Sequence, residues 1–277
     1  VRFVHIADTH IAPRPEFANY GHATLASLEA LIDAINALQF PIDFVLHTGD
    51  LVEDRSEAAY RQARRTLSRL RLPIYYVAGN HDDADLLQRV MLDRTPKGRR
   101  FDYSVTVGGV RITVLDSRGP NDPGGTLTND QLSELRTLCA SDNAPLVIAI
   151  HHPPLPMDSL WLDNGWPTPG GRSPNMLLDR GPEFLETIAL ARDRIRGVFF
   201  GHVHRTCQIV HRGILYSSAP SAFGQLLTWP DQSSPKASPE EPAGFSLVTV
   251  TGDRTIVQQH SIARPSEPPP HEGQTPG

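Results

Sequence analysis

Hydrophobic positions along the chain switch between two periods. "VRFVHIAD" is a nearly unbroken apolar run of the kind that a strand buried on both faces shows, and "HATLASLEALIDAINALQ" follows with Leu25, Leu28, Leu31, Ile32, Ile35 and Leu38 on one helical face. The same order recurs twice. "IDFVLHTGD" reads as strand and "SEAAYRQARRTLSRL" as helix, then "LPIYYVAGN" reads as strand before a shorter helical piece around "ADLLQRVML". Such alternation predicts parallel strands with helices on their faces, an α/β fold.

From Phe101 the texture changes. "FDYSVTVGGVRITVLDS" carries two strand-like runs joined by Gly108 and Gly109, the strongest hairpin signal in the sequence. An antiparallel element therefore joins the sheet. "LTNDQLSELRTLCAS" predicts a helix whose Thr128 and Gln131 have capping-box spacing, and "APLVIAI" returns as a strand. "PEFLETIALARDRI" follows as a helix with Pro182 near its first turn, and then "GVFF" as a buried strand. Two more hairpins are expected, turning at Arg212 and Gly213 and near Gly252 and Asp253.

Two stretches lack a regular pattern, residues 153–175 with Trp161 and Trp166, and "WPDQSSPKASPEEPAG". Exposed tryptophan is costly without a partner, so the first is expected as a wall near a site or as packing against the core. The chain is read as one domain over residues 1–264, with a Pro-rich tail at 265–277 that cannot bury enough surface to fold.

Composition narrows the function. In 277 residues, apolar side chains make up 39%, enough for a sizeable core, and the net charge of −5 is the opposite of the basic footprint that long nucleic acids require. Two cysteines without CxxC spacing suggest neither a disulfide framework nor a thiolate metal site, which fits a reducing cytoplasm. No apolar segment approaches the roughly 20 residues of a membrane span, and the chain opens on a strand rather than a signal peptide. The expected location is cytoplasmic.

The candidate chemistry sits where the strands end. Asp8 and His10 close the first strand in "ADTH", at a spacing that puts both on one side of an extended segment. Asp50 follows in "HTGD", and "GNHDD" supplies Asn80 and His81, a polar cluster expected to face a cation. His151 and His152 end "APLVIAI", and His202 and His204 follow in "GHVH". Parallel strands bring their C-terminal ends to one edge, where ligands usually bind. Carboxylate, amide and imidazole donors in this number exceed the needs of one ion and suit Mn²⁺, Fe or Zn²⁺, so two divalent ions sharing Asp50 are expected. Such pairs serve in-line hydrolysis at phosphorus by metal-bound hydroxide.

"DTH", "GD", "GNHD", "HHPP" and "GHVH", in this order, resemble the signature of the calcineurin-like metallophosphoesterase superfamily. "GNHDD", "HHPPLP" and "YSSAPSAFGQ" are more similar to its bacterial class III cyclic nucleotide phosphodiesterases and related glycerophosphodiesterases. The resemblance implies a four-layer αββα sandwich with mixed sheets and a di-metal centre at one edge. It implies Asp8, His10, Asp50 and His204 on one ion and Asp50, Asn80, His151 and His202 on the other, with His152 in support and His81 contacting the scissile phosphate. The implied substrate is a small phosphodiester, 3′,5′-cyclic nucleotides foremost and glycerophosphodiesters next. A phosphomonoesterase or nuclease, and a non-catalytic metal-dependent scaffold, are the alternatives, and a homodimer through a strand edge or the long loop is left open.

Overall fold

In the computed structural model, which describes residues 1–263 apart from 97, 99, 142, 239 and 240, the apolar runs become two stacked sheets. Strand β1 (Arg2–Ile6) leads into a two-residue ribbon of β2 (Ala18–Asn19) and β3 (His22–Ala23), then α1 (Thr24–Asn36), β4 (Phe44–His47), α2 (Glu57–Leu67) and β5 (Ile74–Tyr76). Helix α3 (Ala84–Leu86) runs on into a π-helical turn over Leu87–Met91. Next come β6 (Tyr103–Val107), β7 (Val110–Leu115), α4 (Asn129–Ser141), β8 (Leu146–Ile150) and α5 (Leu160–Asn164). A ribbon of β9 (Pro167–Thr168) and β10 (Gly171–Arg172) precedes α6 (Gly181–Ile188), which tightens to a 3₁₀ helix over Ala189–Arg194. The chain continues through β11 (Ile195–Phe200), β12 (Gln208–His211), β13 (Ile214–Ser218), β14 (Gly244–Val250) and β15 (Thr255–Ser261).

One sheet has the order β15-β14-β1-β4-β5 and the other β12-β13-β11-β8-β7-β6. Both are mixed. β1, β4 and β5 are mutually parallel, as are β7, β8, β11 and β13, whereas β6, β12, β14 and β15 join antiparallel. The three expected hairpins are present as β6–β7, β12–β13 and β14–β15.

Strand period decides which core each side chain enters. Phe3, Phe44, Leu46, Val147, Ala149 and Phe199 fill the space between the sheets. Their neighbours Val4 and Val45 face the opposite way, onto the layer with α1 and α2, while Ile148, Ile150, Val198 and Phe200 pack under Phe184 and Ile188 of α6. Helix, sheet, sheet, helix is the resulting order of layers. This is why these strands read as continuous apolar runs rather than alternating ones: both of their faces are covered.

Local signals set the helix starts. Ser56 Oγ accepts from Ala59 N at 3.1 Å, and Thr128 and Gln131 form the expected reciprocal box, with bonds of 2.9 Å and 3.2 Å. Residues 153–175 are less irregular than their composition predicts. Trp161, buried in the second-sheet core, donates Nε1–H to Leu227 O at 3.0 Å and holds α5 against the segment near 227, whose Trp229 is exposed. The expectation for residues 265–277 lies outside the described residues.

Candidate metal centre

The C-terminal ends of strands from both sheets meet at one edge. His202 N, just past β11, donates to Asp8 Oδ1 beyond β1 at 3.0 Å, and Gly201 N donates to His151 O at 3.1 Å. Asp8 N and His10 N donate to Gly49 O and Asp50 O, both at 3.0 Å, so the turns after β1 and β4 are bonded side by side.

One element of the sequence reading is corrected here. Asp8 with His10, and His202 with His204, do not share a side by alternation along an extended strand. β1 ends at Ile6 and β11 at Phe200, and of the ten described non-glycine residues with positive φ, five are Asp8, His10, Asp50, His202 and His204. β1, β4 and β11 therefore end in left-handed turns, a conformation to which Asp and His are better suited than β-branched residues. Gly49, at φ +102°, gives the room: a Cβ there would lie 2.3 Å from His151 Nδ1.

A second correction concerns "GNHDD". Only Asn80 and His81 turn toward the cluster. Asp82 accepts from the backbone N–H of Leu51, Val52 and Gly79 and from Tyr60 Oη, and Asp83 caps α3 through Leu86 N at 2.8 Å. Asp82 thus ties the β4 and β5 turns together because buried backbone donors there have no ladder partner, while Asp83 serves only its own helix.

The structure brings together all the side chains that the sequence singles out. Ligand-type atoms of Asp8, His10, Asp50 and His204 lie within 4.8 Å of one another, as do those of His151, His152 and His202. Asp50 Oδ2 joins the two groups, 3.5 Å from His10 Nε2 and 3.3 Å from His151 Nε2. Asn80 Oδ1 lies 3.1 Å from His151 Nε2. His152 sits to one side, its Nδ1 2.7 Å from Ser117 Oγ.

The protons can be placed from these partners. His151 Nδ1 faces Thr48 O at 2.8 Å and His10 Nδ1 faces Glu53 Oε2 at 2.7 Å, acceptors that both call for N–H. In the neutral rings, each Nε2 is then a bare lone pair. Both point at the Asp50 carboxylate, and His151 also meets the Asn80 carbonyl oxygen. Asp8 Oδ2, His202 Nε2 and His204 Nδ1 are buried with no hydrogen-bond partner among the described residues. Lone pairs aimed at lone pairs in a buried space are unfavourable unless a proton or a metal cation stands between them. The donor set, mixed carboxylate, amide oxygen and imidazole, fits divalent transition metals.

Electrostatics keep Asp50, His202 and His204 in binding form, whereas burial acts to lower His10 and His151 but is outweighed: Glu53 and Asp50 raise His10, and Asp50 lifts His151 to about 9. Burial, then neighbouring histidines, pushes His202 and His204 well below the ordinary imidazole value, so their lone pairs are available. Burial acts to raise the Asp50 carboxyl, but His151 and His81 outweigh it and hold Asp50 well below the carboxylate range. Asp8 is pushed up by burial to about 7.

His81 lies on the rim, about a third exposed, with its Nδ1 held by Glu53 O at 3.0 Å and its ring edge-on to His10. Its Nε2 is the nitrogen left for a substrate. Over this floor opens a cleft of about 400 Å³ whose other wall is formed by Tyr20, Trp161, Trp166, Met176, Leu226 and Pro235. Trp166 packs edge-on against Trp161 with ring centroids 5.9 Å apart. Trp161 packs the segment onto the core, and both tryptophans line the cleft.

Sequence reasoning missed Glu53, Asp122, Thr48 and Ser117. Glu53 orients two histidines at once, His10 with its carboxylate and His81 with its carbonyl. Its place three residues after Asp50 is the only sequence signal, and such an acidic residue on a loop is ordinarily solvated.

Fold and site together define a buried carboxylate–imidazole centre of metal-binding type at the edge of two stacked sheets, and comparison with known proteins places the chain in a family. Residues 1–206 match the calcineurin-like phosphoesterase family model, and the chain belongs to that family. It is 32% identical over 208 residues to the 3′,5′-cyclic adenosine monophosphate phosphodiesterase CpdA of Pseudomonas aeruginosa, covering 74% of this chain and 70% of that one. It is also 32% identical over 249 residues to a probable cyclic nucleotide phosphodiesterase of Synechococcus, covering 90% and 87%. Among solved structures, a dimetal phosphatase from Danio rerio superposes with a TM-score of 0.67 at 15% identity, covering 94% and 96%, a likeness of fold. No described helix is long and apolar enough to cross a membrane.

Proposed function

We propose that the chain is a di-metal phosphodiesterase acting on small phosphodiesters, with 3′,5′-cyclic nucleotides as the foremost substrates. The observation that carries this reading is the two-sided cleft: a floor of converging lone pairs for cations and phosphate, facing an aromatic wall of the size and chemistry of a nucleobase partner. Two relatives at 32% identity bear cyclic nucleotide phosphodiesterase names, which supports the same substrate class.

Asp8, His10, Asp50 and His204 would hold one ion and Asp50, Asn80, His151 and His202 the other, Mn²⁺, Fe or Zn²⁺ by donor type. Bound there, such ions lower the pKa of water and offset charge on phosphate oxygens. The chain's own residues do the rest. Glu53 keeps Nε2 of His10 and of His81 directed into the cleft. As imidazolium, His81 donates to a phosphate oxygen or protonates the leaving alkoxide. Trp166 and Met176 bury the organic part of the ester and exclude water from that side.

A substrate panel tests the proposal. Mn²⁺-loaded protein is offered cyclic AMP, cyclic 2′,3′-nucleotides, glycerophosphocholine, an aryl phosphodiester and an aryl phosphomonoester. The expected order places cyclic AMP highest in kcat/KM, and Trp166→Ala raises KM for cyclic AMP while leaving glycerophosphocholine unchanged. Strong preference for the monoester contradicts the reading, and inactivity on the whole panel favours the scaffold.

A further inference from the structure

Asn80 presents its amide oxygen to the centre, with Oδ1 3.1 Å from His151 Nε2.

The reason lies on the other side of the amide. Asn80 Nδ2 donates to Asp122 Oδ1 at 3.0 Å, and a carboxylate oxygen can only accept, so the nitrogen must face it. Asp122 is fixed in turn. Arg55 Nη2 donates to Asp122 Oδ2 at 3.2 Å and also to the Asn80 carbonyl oxygen, so one guanidinium bridges both partners. The loop bearing Asp122 is anchored by Asp179 N to Gly125 O at 2.8 Å and by the neighbouring Asn121 Nδ2 to Asp179 Oδ2 at 2.5 Å.

We propose that Asp122, braced by Arg55, is a positioning residue that holds the Asn80 amide with its oxygen toward the centre, and so sets the affinity of the ion shared by Asp50, Asn80, His151 and His202. An NH₂ group turned inward would set two partially positive hydrogens against that cation. Asp122 has no ligating part in this scheme; it acts through Asn80. The inference rests on the two-ion reading above and extends it to a residue that no motif marks.

Asp122 and Arg55 are both half exposed, and an exposed ion pair contributes little to stability, so Asp122→Ala leaves the fold intact. Calorimetric titration of Mn²⁺ into metal-free protein reads the effect directly, with thermal melting of each metal-free variant as the check on folding. The wild-type chain takes two ions. Asp122→Ala keeps one near wild-type affinity and binds the other about tenfold or more weakly. Asp122→Asn, which retains a carbonyl oxygen for Asn80 Nδ2, stays close to wild type. Two wild-type affinities in Asp122→Ala would overturn the proposal, as would an Asp122→Asn as weak as the alanine variant, because charge rather than amide orientation would then be responsible. A wild-type chain that binds fewer than two Mn²⁺ overturns the two-ion reading instead.

Discussion

Replacing Gly79 by alanine puts one methyl group at the point where the β4 and β5 turns touch. A Cβ there would lie 2.2 Å from Asp50 Oδ1, 2.3 Å from Asp50 N and 2.8 Å from His151 Cε1. Ordinary carbon contacts are about 3.5–4.0 Å, so the shortfall exceeds an ångström, and one of the obstructing atoms is backbone. Neither side can yield freely. Gly79 N donates to Asp82 Oδ2 at 2.8 Å and Gly79 O accepts from Asp82 N at 3.0 Å, while Asp50 Oδ1 accepts from His81 N at 2.8 Å. Overpacking of this kind costs about 1–3 kcal/mol. Loss of the charge-assisted bond to His81 adds about 1.5–3 kcal/mol, for roughly 2.5–6 kcal/mol together. At about 2–4 °C per kcal/mol for a chain of this size class, the melting temperature falls by at least roughly 5 °C. Thermal unfolding in chelator measures the stability term, and plasma mass spectrometry of the metal-reconstituted protein measures what happens to the site, where Asp50 is displaced and ion content falls. Gly170→Ala is the control: nothing lies within 4 Å of its Cβ, and its stability stays within about 0.5 kcal/mol of wild type. A Gly79→Ala protein with wild-type melting, metal content and turnover would refute the reasoning.

Two further outcomes are expected. Asp50→Ala loses both ions' worth of metal content and all activity, whereas His81→Ala keeps its metal and loses about 100-fold or more in kcat; equal metal content in the two variants would contradict the division of roles. Acid weakens the metal-free protein through the buried strand histidines. Burial lowers His5 and His47 from the ordinary 6.5 to about 3. The unfolded chain therefore takes up protons near 6.5 that the native state refuses, so their contribution is complete above 6.5 and is lost as pH falls toward 3. Urea midpoints of metal-free protein drop across that window, and His5→Gln shows a shallower drop; parallel curves would refute the assignment.

What could be read from the sequence was whatever depends on neighbours in the chain. The hairpin at Gly108–Gly109 and the box between Thr128 and Gln131 are local devices, and both are where spacing put them. The buried strands were legible because both faces are covered and their apolar runs are unbroken. Asp8, Asp50, Asn80 and the histidines stood out because metal-type donors recurred at several strand ends. Their backbone did not. Positive φ at Asp8 or His204 is imposed by bonds between turns that lie far apart in the chain, such as Asp8 N to Gly49 O. Asp82 carries the same side chain as Asp50, and only the three-dimensional packing turns one toward backbone N–H groups and the other toward histidines. Glu53 and Asp122 were illegible for the same reason: their partners are chosen across 28 to 43 positions of sequence.

The floor of the cleft is made of strand ends, whereas its far wall comes from Tyr20 in the β2–β3 turn, from α5 and the stretch after it through Met176, and from the segment around Leu226. Under the proposed function, reactivity and taste are carried by separate parts of the chain: grafting a foreign wall onto this floor would alter which ester is chosen without rebuilding the floor, and a lineage would change its diet by editing three surface excursions.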